Sequence, residues 1–375
     1  MIVFTILIFI VYTLLVLSFM VGFDKIKLTT TTFEKPNNHF SIIIPFRNEA
    51  ANLKALLQSI LELNYPTQLF EILLVNDDSY DDSFAIIETF QHKNSQLHIT
   101  LIQNNRKTGS PKKDAINTAI ENAQFNWLIT TDADCEVPKN WLNSFNTFIE
   151  EKQPVFISAP VKFQKEKSLL FHFQNLNFIS LIGSTIGGFG IKKPFLCNGA
   201  NLCYRKDIFK KINGFEGNNS IASGDDIFLL EKMFQNYPTK TLFLKSSEAV
   251  VSTKAENSWK LFFNQQIRWA SKTNAYKNWF SKMVGLAVFT TNLAIVIVGV
   301  SLCFTPHNWM FFIAILVHKM FIDVLLIEKT TQFLNAKDSL LYYPLISIAY
   351  PLYIVFIASA SLLKKYEWKG RIFKQ

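Results

Sequence analysis

Trp127-Leu128-Ile129-Thr130-Thr131-Asp132-Ala133-Asp134 is the stretch on which the reading of this chain turns. The apolar, β-branched run predicts a buried strand, and the two carboxylates on alternate residues after it reach the rim of a sheet together. Hard divalent cations such as Mg²⁺ and Mn²⁺ favour oxygen ligands and share them with phosphates, so Asp132 and Asp134 are candidate ligands for one. Asp-x-Asp also occurs in turns and helix caps, so its weight depends on the rest of the chain.

Towards the N-terminus, strands and helices alternate. Ser41-Ile42-Ile43-Ile44 predicts a short buried strand stopped by Pro45, and Leu53, Leu56, Leu57 and Ile60 recur at helical spacing. Phe70–Val75 predicts a second strand, followed by the acidic turn Asn76-Asp77-Asp78-Ser79-Tyr80-Asp81-Asp82, and Leu97–Gln103 a third. Ser110 reads as an N-cap and Pro111 as the first residue of a helix that runs to Ala123. This alternation predicts an α/β domain with a largely parallel sheet, in which ligands bind at the carboxyl ends of the strands. No G-x-G-x-x-G follows the first strand and no P-loop occurs, so a dinucleotide or P-loop site is unsupported. From about Val155 to Lys254 the pattern is less regular and includes the Gly-rich stretch Gly183–Gly190.

The flanks are apolar. Met1 to Phe23 carries no charge and is long enough to cross a hydrocarbon core. Lacking a basic n-region and an A-x-A site, it reads as a retained anchor. Lys25 and Lys27 after it place the following domain in the cytosol by the positive-inside rule. Residues 24–38 form a polar, Thr-rich linker, and residues 39–256 the α/β domain. Residues 257–282 mix tryptophan, phenylalanine and lysine, which suits one amphipathic helix at the membrane surface or a helix packed on the domain. Residues 283–363 hold three apolar stretches, roughly 284–304, 309–327 and 340–363. The middle one carries His318, Lys319 and Asp323 and reads as tilted, re-entrant or interfacial. Three crossings would put the basic tail over 364–375 (Lys364, Lys365, Lys369, Arg371, Lys374) outside, against the charge rule, so two crossings are expected. The net charge of +9 suits a surface beside anionic lipid, and no basic-aromatic nucleic-acid motif is present. Cys135, Cys197, Cys203 and Cys303 form no C-x-x-C pair and read as reduced structural thiols.

Taken in order, the motifs resemble the membrane-bound family 2 glycosyltransferases. Pro45-Phe46-Arg47-Asn48-Glu49 resembles the family's P-x-x-N-E turn. Val75-Asn76-Asp77-Asp78-Ser79-Tyr80-Asp81-Asp82-Ser83 is similar to its V-D-D-x-S-x-D-x-T loop, departing from it at Asn76. Asp132-Ala133-Asp134 matches the metal motif, and Ser223-Gly224-Asp225-Asp226 stands where an E-D or D-D pair is expected. Gln265-Gln266-Ile267-Arg268-Trp269 fits Q-x-x-R-W, and Glu367-Trp368-Lys369-Gly370-Arg371 resembles a W-K-G-R ending. Cys197-Asn198-Gly199-Ala200-Asn201 resembles a loop bearing G-A-N, whose glycine either admits substrate closely or is a plain turn.

The resemblance implies a glycosyltransferase A-type, nucleotide-diphospho-sugar transferase fold with a mixed, mostly parallel sheet, plus N- and C-terminal transmembrane helices. It implies an inverting, metal-dependent hexosyltransferase in a bacterial cell membrane. Pro45, Asn48, Glu49, Asp77, Lys112, Lys113, Asp132, Gln265, Arg268 and Trp269 would line the donor. Asp77 would meet the uracil of a UDP-sugar, Lys112 or Lys113 its diphosphate or base, and Arg268 the diphosphate. Trp269 either stacks on an acceptor sugar or anchors at the membrane interface. Asp132 and Asp134 would hold Mg²⁺ or Mn²⁺. A sugar hydroxyl needs a base to take its proton; the family pair makes Asp226 that base and leaves Asp225 structural or N-capping. With few spans to frame a channel, a membrane lipid is the expected acceptor, ahead of a processive polysaccharide synthase or a catalytically silent nucleotide-sugar-binding module. Neither nucleic acid nor an obligate protein partner is called for.

Overall fold

The computed structural model describes residues 2–32, 36–217, 224–272, 277–363, 366–368 and 371–373. In chain order the strands are β1 Phe40–Phe46, β2 Phe70–Asn76, β3 Ile99–Gln103, β4 Trp127–Thr130, β5 Cys135–Glu136, β6 Phe156–Ser158, β7 Val161–Phe163, β8 Leu202–Arg205, β9 Thr241–Phe243, β10 Val251–Thr253, β11 Tyr366–Trp368 and β12 Arg371–Phe373. The helices are α1 Ile2–Lys25, α2 Ala50–Leu61, α3 Ser83–Lys93, α4 Pro111–Asn122, α5 Trp141–Lys152, α6 Leu169–Gly190, α7 Lys206–Lys211, α8 Asp225–Asn236, α9 Trp259–Ala270, α10 Trp279–Ser301, α11 Trp309–Leu334 and α12 Tyr343–Leu363. They fall into a sheet unit (27–164 and 197–254) and a helical unit (1–26, 165–196 and 255–375). Residues 165–196 therefore leave the contiguous 39–256 domain expected from sequence and join the helices.

The main sheet of the sheet unit has the order β3-β2-β1-β4-β8-β6-β9. β1, β2, β3 and β4 are mutually parallel, and β8 runs against both of its neighbours, β4 and β6. The sheet is thus mixed and mostly parallel. Phe40, Ile42, Ile43 and Ile44 are fully buried, as a central strand covered on both faces requires. β1 does not stop at Pro45. It continues to Phe46, with Pro45 opposite Val75. β4 pairs with β1 only as far as Thr130 opposite Ile43, so the missing proline N–H removes no ladder bond on that side. Leu53, Leu56, Leu57 and Ile60 form the buried stripe of α2. A second, three-stranded sheet has the order β5-β10-β7.

The stretch expected to be a plain linker is held down. α1 runs on to Lys25, and the chain beyond it bonds to α5. Thr31 Oγ1 meets Ser144 Oγ at 2.8 Å, the Thr32 N–H donates to Thr147 Oγ1 at 3.1 Å, and Asn38 Nδ2 donates to Asn146 Oδ1 at 2.8 Å. These bonds account for Ser144, Asn146 and Thr147, polar residues buried on α5, since a buried polar group without a partner costs free energy.

In the helical unit, four helices among the described residues are long and apolar enough to cross a membrane: Ile2–Lys25, Trp279–Ser301, Pro306–Leu334 and Lys337–Leu362. The Gly-rich stretch is a packing seam. A methyl group on Gly187 or Gly190 of α6 would collide with the backbone of α1 at Phe19 or Gly22, so only glycine lets the two helices approach this closely. The charges in α11 are paired internally. Lys319 Nζ donates to Asp323 Oδ2 at 2.5 Å, Tyr12 Oη donates to Asp323 Oδ1 at 2.6 Å, and His318 Nε2 lies 2.8 Å from Thr13 Oγ1. Intramembrane charges that face a neighbouring helix and pair are compatible with crossing, which removes the reason to read α11 as interfacial.

The single amphipathic helix expected over 257–282 is two elements. α9 ends at Ala270, and Trp279 and Phe280 open α10. Phe262 of α9 is buried and stacked on Tyr353 of α12, so α9 is packed inside the unit.

Candidate active site

The carboxyl ends of β1, β2, β3 and β4 supply the loops of the site. Asn48 and Asp78 adopt left-handed backbone (φ 52° and 54°), a conformation that Asn and Asp tolerate better than bulkier residues. Asn48 then braces the two loops: its N–H donates to Ser79 Oγ at 3.0 Å, and its Oδ1 accepts from the Tyr80 N–H at 3.0 Å. The Glu49 N–H donates to Ser83 Oγ at 2.8 Å, and Asn52 Nδ2 donates to Glu49 Oε2 at 2.7 Å. The Asp81 carboxylate accepts from the Ala50 and Ser83 N–H groups at 2.9 and 3.1 Å. Burial pushes the Asp81 carboxyl up, but these hydrogen bonds outweigh it and hold it below the usual aspartate value. Asn48 and Glu49 thus join the first turn to the acidic loop. Pro45 sits in β1.

Asp77 is buried at the start of that loop, directly after β2. Arg106 Nε donates to its Oδ1 at 2.6 Å, and Asn104 Nδ2 donates to the same oxygen at 2.8 Å. Arg47 Nη1 donates to the Asp77 and Asp78 carbonyls at 2.6 and 2.7 Å. Asn76, where the family pattern has Asp, keeps the turn: its Oδ1 accepts from the Ser79 N–H at 2.9 Å and its Nδ2 donates to Gln103 Oε1 at 3.2 Å. Arg47, Asn104 and Arg106 were not singled out from sequence. Asn104 and Arg106 follow β3, so the rule of strand carboxyl ends would have found them. Asn104 Oδ1 and Ser110 Oγ are buried without a hydrogen-bonding partner among the described residues.

Ser110 stands at the N-cap of α4, as expected, but its hydroxyl makes no capping bond. Asp114 closes that turn instead. Its Oδ2 accepts from the Lys107 and Thr108 N–H groups at 3.1 and 2.8 Å, and Thr108 Oγ1 donates to its Oδ1 at 3.0 Å. The first turn of α4 thereby presents Lys112. Its Nζ donates to Asp132 Oδ1 at 2.6 Å and lies 3.7 Å from Asp225 Oδ2. Burial works against its charge, but the adjacent Asp132 and Asp225 carboxylates prevail and raise the Lys112 pKa. Lys113, one residue on, is buried with its ammonium 5.1 Å above the Phe228 ring.

Gly224, with φ at +83°, caps α8, and the helix opens directly with Asp225 and Asp226. The two carboxylates separate. Asp225 is buried and turned towards Lys112, whereas Asp226 is half-buried. The Gly199 N–H donates to Asp226 Oδ2 at 3.2 Å, and the Ile227 N–H donates to its Oδ1 at 2.8 Å. Thr130 at the end of β4 fixes Gly199 by donating from Oγ1 to its carbonyl at 2.8 Å. A methyl group on Gly199 would touch Asp225 Oδ2, Asp226 Cβ and Lys112 Nζ at 3.4, 3.5 and 3.6 Å, so these groups converge around one point. Cys197 opens the same loop, and burial, then the Asp226 and Asp225 carboxylates, push its thiol pKa up, which leaves it a poor nucleophile.

Asp132 and Asp134 are half-buried on alternate residues beyond β4. Among the described residues, no three Asp, Glu, His or Cys side chains close around a common point. Two carboxylates still fit Mg²⁺ or Mn²⁺, because such ions take one or two protein carboxylates and complete their shell with water and substrate phosphates. Gln265, Arg268 and Trp269 lie on α9 in the helical unit. Gln265 Nε2 donates to Glu256 Oε1 at 3.1 Å, and the Trp269 ring lies 6.4 Å from that of Phe178. Ser223 and, from the W-K-G-R stretch, Lys369 and Gly370 lie outside the described residues.

A mostly parallel sheet of this order, with carboxylates gathered at its carboxyl rim, has the glycosyltransferase A-type architecture. Mannosyltransferase PcManGT from Pyrobaculum calidifontis, solved with GDP-Man and Mn²⁺, superposes with a TM-score of 0.59 over 96% of this chain and 98% of its own, at 16% identity. The family model Glycosyl transferase family 2 matches residues 41–212, and Glycosyl transferase family group 2 matches 127–360, more than half of the chain. The chain belongs to the family 2 glycosyltransferases. Probable glycosyltransferase YdaM of Bacillus subtilis is 24% identical over 61% of this chain, and poly(ribitol-phosphate) beta-N-acetylglucosaminyltransferase TarS of Staphylococcus aureus is 30% identical over 30% of it. These matches span 54% of YdaM and 19% of TarS.

Proposed function

We propose that the protein transfers a hexose, with inversion, from a nucleotide-diphosphate sugar to the hydroxyl of a membrane lipid. The observation that carries this reading is the convergence of Asp226, held by the Gly199 N–H, with Asp225 and Lys112 around one point, and the bond from Lys112 to Asp132 at the sheet rim. The acceptor oxygen attacks the anomeric carbon as its proton passes to Asp226. The bond from that carbon to the diphosphate oxygen breaks, and the nucleoside diphosphate leaves with the electron pair. Asp132 and Asp134 would hold Mg²⁺ or Mn²⁺, which supplies Lewis-acid stabilisation of charge on the leaving diphosphate. Lys112, at the first turn of α4 where unpaired backbone N–H groups favour anions, adds a cation on the same side. Asp77 and the Asn104 amide bonded to it, whose Oδ1 has no hydrogen-bonding partner among the described residues, offer polar edges for a nucleotide base, and UDP is the expected carrier. The apolar helices support an acceptor drawn from the bilayer, and Lys25 and Lys27 at the end of α1 support a catalytic domain on the cytosolic side.

TarS is named for transfer to a polymer, which supports a second reading with a polymeric acceptor, as in a processive synthase. Membranes containing the protein are incubated with radiolabelled UDP-sugars and extracted with organic solvent. Label in one lipid species is the expected result; label confined to insoluble, high-mass material would replace the lipid reading by the polymer one.

A further inference from the structure

Lys112 stands where the reaction wants a metal ion. Its ammonium lies 2.6 Å from Asp132 Oδ1 and 3.7 Å from Asp225 Oδ2, on a carboxylate that is also a candidate metal ligand. A magnesium ion binds a carboxylate oxygen at about 2.1 Å, and an ammonium and a dication on one carboxylate repel. Asp132 is therefore already paired, from within the site, with a lysine. A cation arriving alone on Asp132 competes with Lys112 for the carboxylate and faces its ammonium. A nucleoside diphosphate changes this balance, because its oxygens accept the ammonium that Asp132 releases.

Resting on the function proposed above, we propose that Lys112 is an internal counter-ion that exchanges between Asp132 and the donor diphosphate, so that the divalent ion is taken up together with the nucleotide and poorly without it. Lys112 is then a positioning residue in the resting site and a phosphate contact in the loaded one. By linkage, whatever factor the nucleotide adds to metal affinity, the metal adds to nucleotide affinity.

The test is Mn²⁺ binding by the full-length protein in detergent, read from loss of the free-ion electron paramagnetic resonance signal, with no nucleotide, with UDP or with GDP. Wild-type protein is expected to bind Mn²⁺ at least about tenfold more tightly when UDP or GDP is present. Lys112→Met is expected to bind Mn²⁺ alone about tenfold more tightly than wild type and to gain less from nucleotide, whereas Lys112→Arg keeps the wild-type pattern. Wild-type binding that is equally tight with and without nucleotide overturns the inference but leaves the metal-dependent transferase reading intact, and this arm needs no variant to fold. Lys112→Met binding Mn²⁺ alone no more tightly than wild type overturns it equally. Wild type that retains no Mn²⁺ with either nucleotide overturns both.

Discussion

Asp225 and Asp226 show how neighbouring identical residues acquire different surroundings. Asp225 is buried against Lys112, while Asp226 is half-buried and aimed by the Gly199 N–H. Asp226→Asn is expected to lower kcat by about 10²–10⁴-fold, the usual worth of a general base, while nucleotide affinity by calorimetry stays unchanged; turnover near the wild-type level would remove Asp226 from its role. Asp81 carries a second prediction. Its folded pKa lies below the ordinary 3.8, so its contribution to stability is present above that value and is lost as pH falls through the folded one. Melting temperatures followed from pH 5 down to pH 3 should fall more steeply for wild type than for Asp81→Asn, and parallel curves would contradict the clamp assigned to it. The Asp-x-Asp pair and Asp226 were legible as residue types at strand and helix ends. The loop-bracing work of Asn48 and Glu49 was not, because hydrogen bonds between loops thirty residues apart leave no periodic trace in sequence. The Lys112–Asp132 contact was hidden for the same reason.

At the scale of elements, legibility followed pattern strength. β1, β2, β3 and β4 are apolar runs bounded by turn residues and stood out, whereas β6, β7, β9 and β10 have three residues each, too short for a period to show. α6 escaped a hydropathy reading because His172, Gln174, Asn175 and Asn177 interrupt its apolar surface. Those residues are bonded within the helical unit: Asn177 Nδ2 donates to Gln266 Oε1 at 3.2 Å, and Tyr350 Oη donates to Asn177 Oδ1 at 2.9 Å. The Lys319–Asp323 pair is the clearest energetic test of this polar interior. Lys319 is almost fully buried, with its ammonium also 5.5 and 5.2 Å from the Tyr12 and Tyr350 rings. Removing one member of a buried pair leaves an uncompensated charge, at a cost of about 3–5 kcal/mol, while replacing both by apolar residues is often neutral. Lys319→Met should therefore lower the melting temperature in detergent, and Lys319→Met combined with Asp323→Leu should recover most of the loss. A double variant no more stable than the single one would show that the pair does more than neutralise itself.

For the whole molecule, the distribution of charge along the apolar helices bears on how the chain is threaded. Residues 302–308, between α10 and α11, contain no Lys or Arg, whereas Lys25, Lys27, Lys329 and Lys337 lie at the other ends of α1 and α11 and just beyond. The positive-inside rule reads these as opposite sides, with α10 and α11 crossing as a hairpin. Four helices among the described residues are long and apolar enough to cross, yet a fourth crossing by α12 would carry Lys364, Lys365, Lys369, Arg371 and Lys374 to the side of the uncharged loop. Pro351 stands inside α12, where it removes one backbone hydrogen bond. Cys303 in the uncharged loop is exposed and gives a native reporter. In intact cells an impermeant maleimide is expected to label Cys303, while a protein with Cys303→Ser and Lys374→Cys is labelled only after permeabilisation. Labelling of both in intact cells would mean that α12 crosses fully and that the basic tail defies the charge rule.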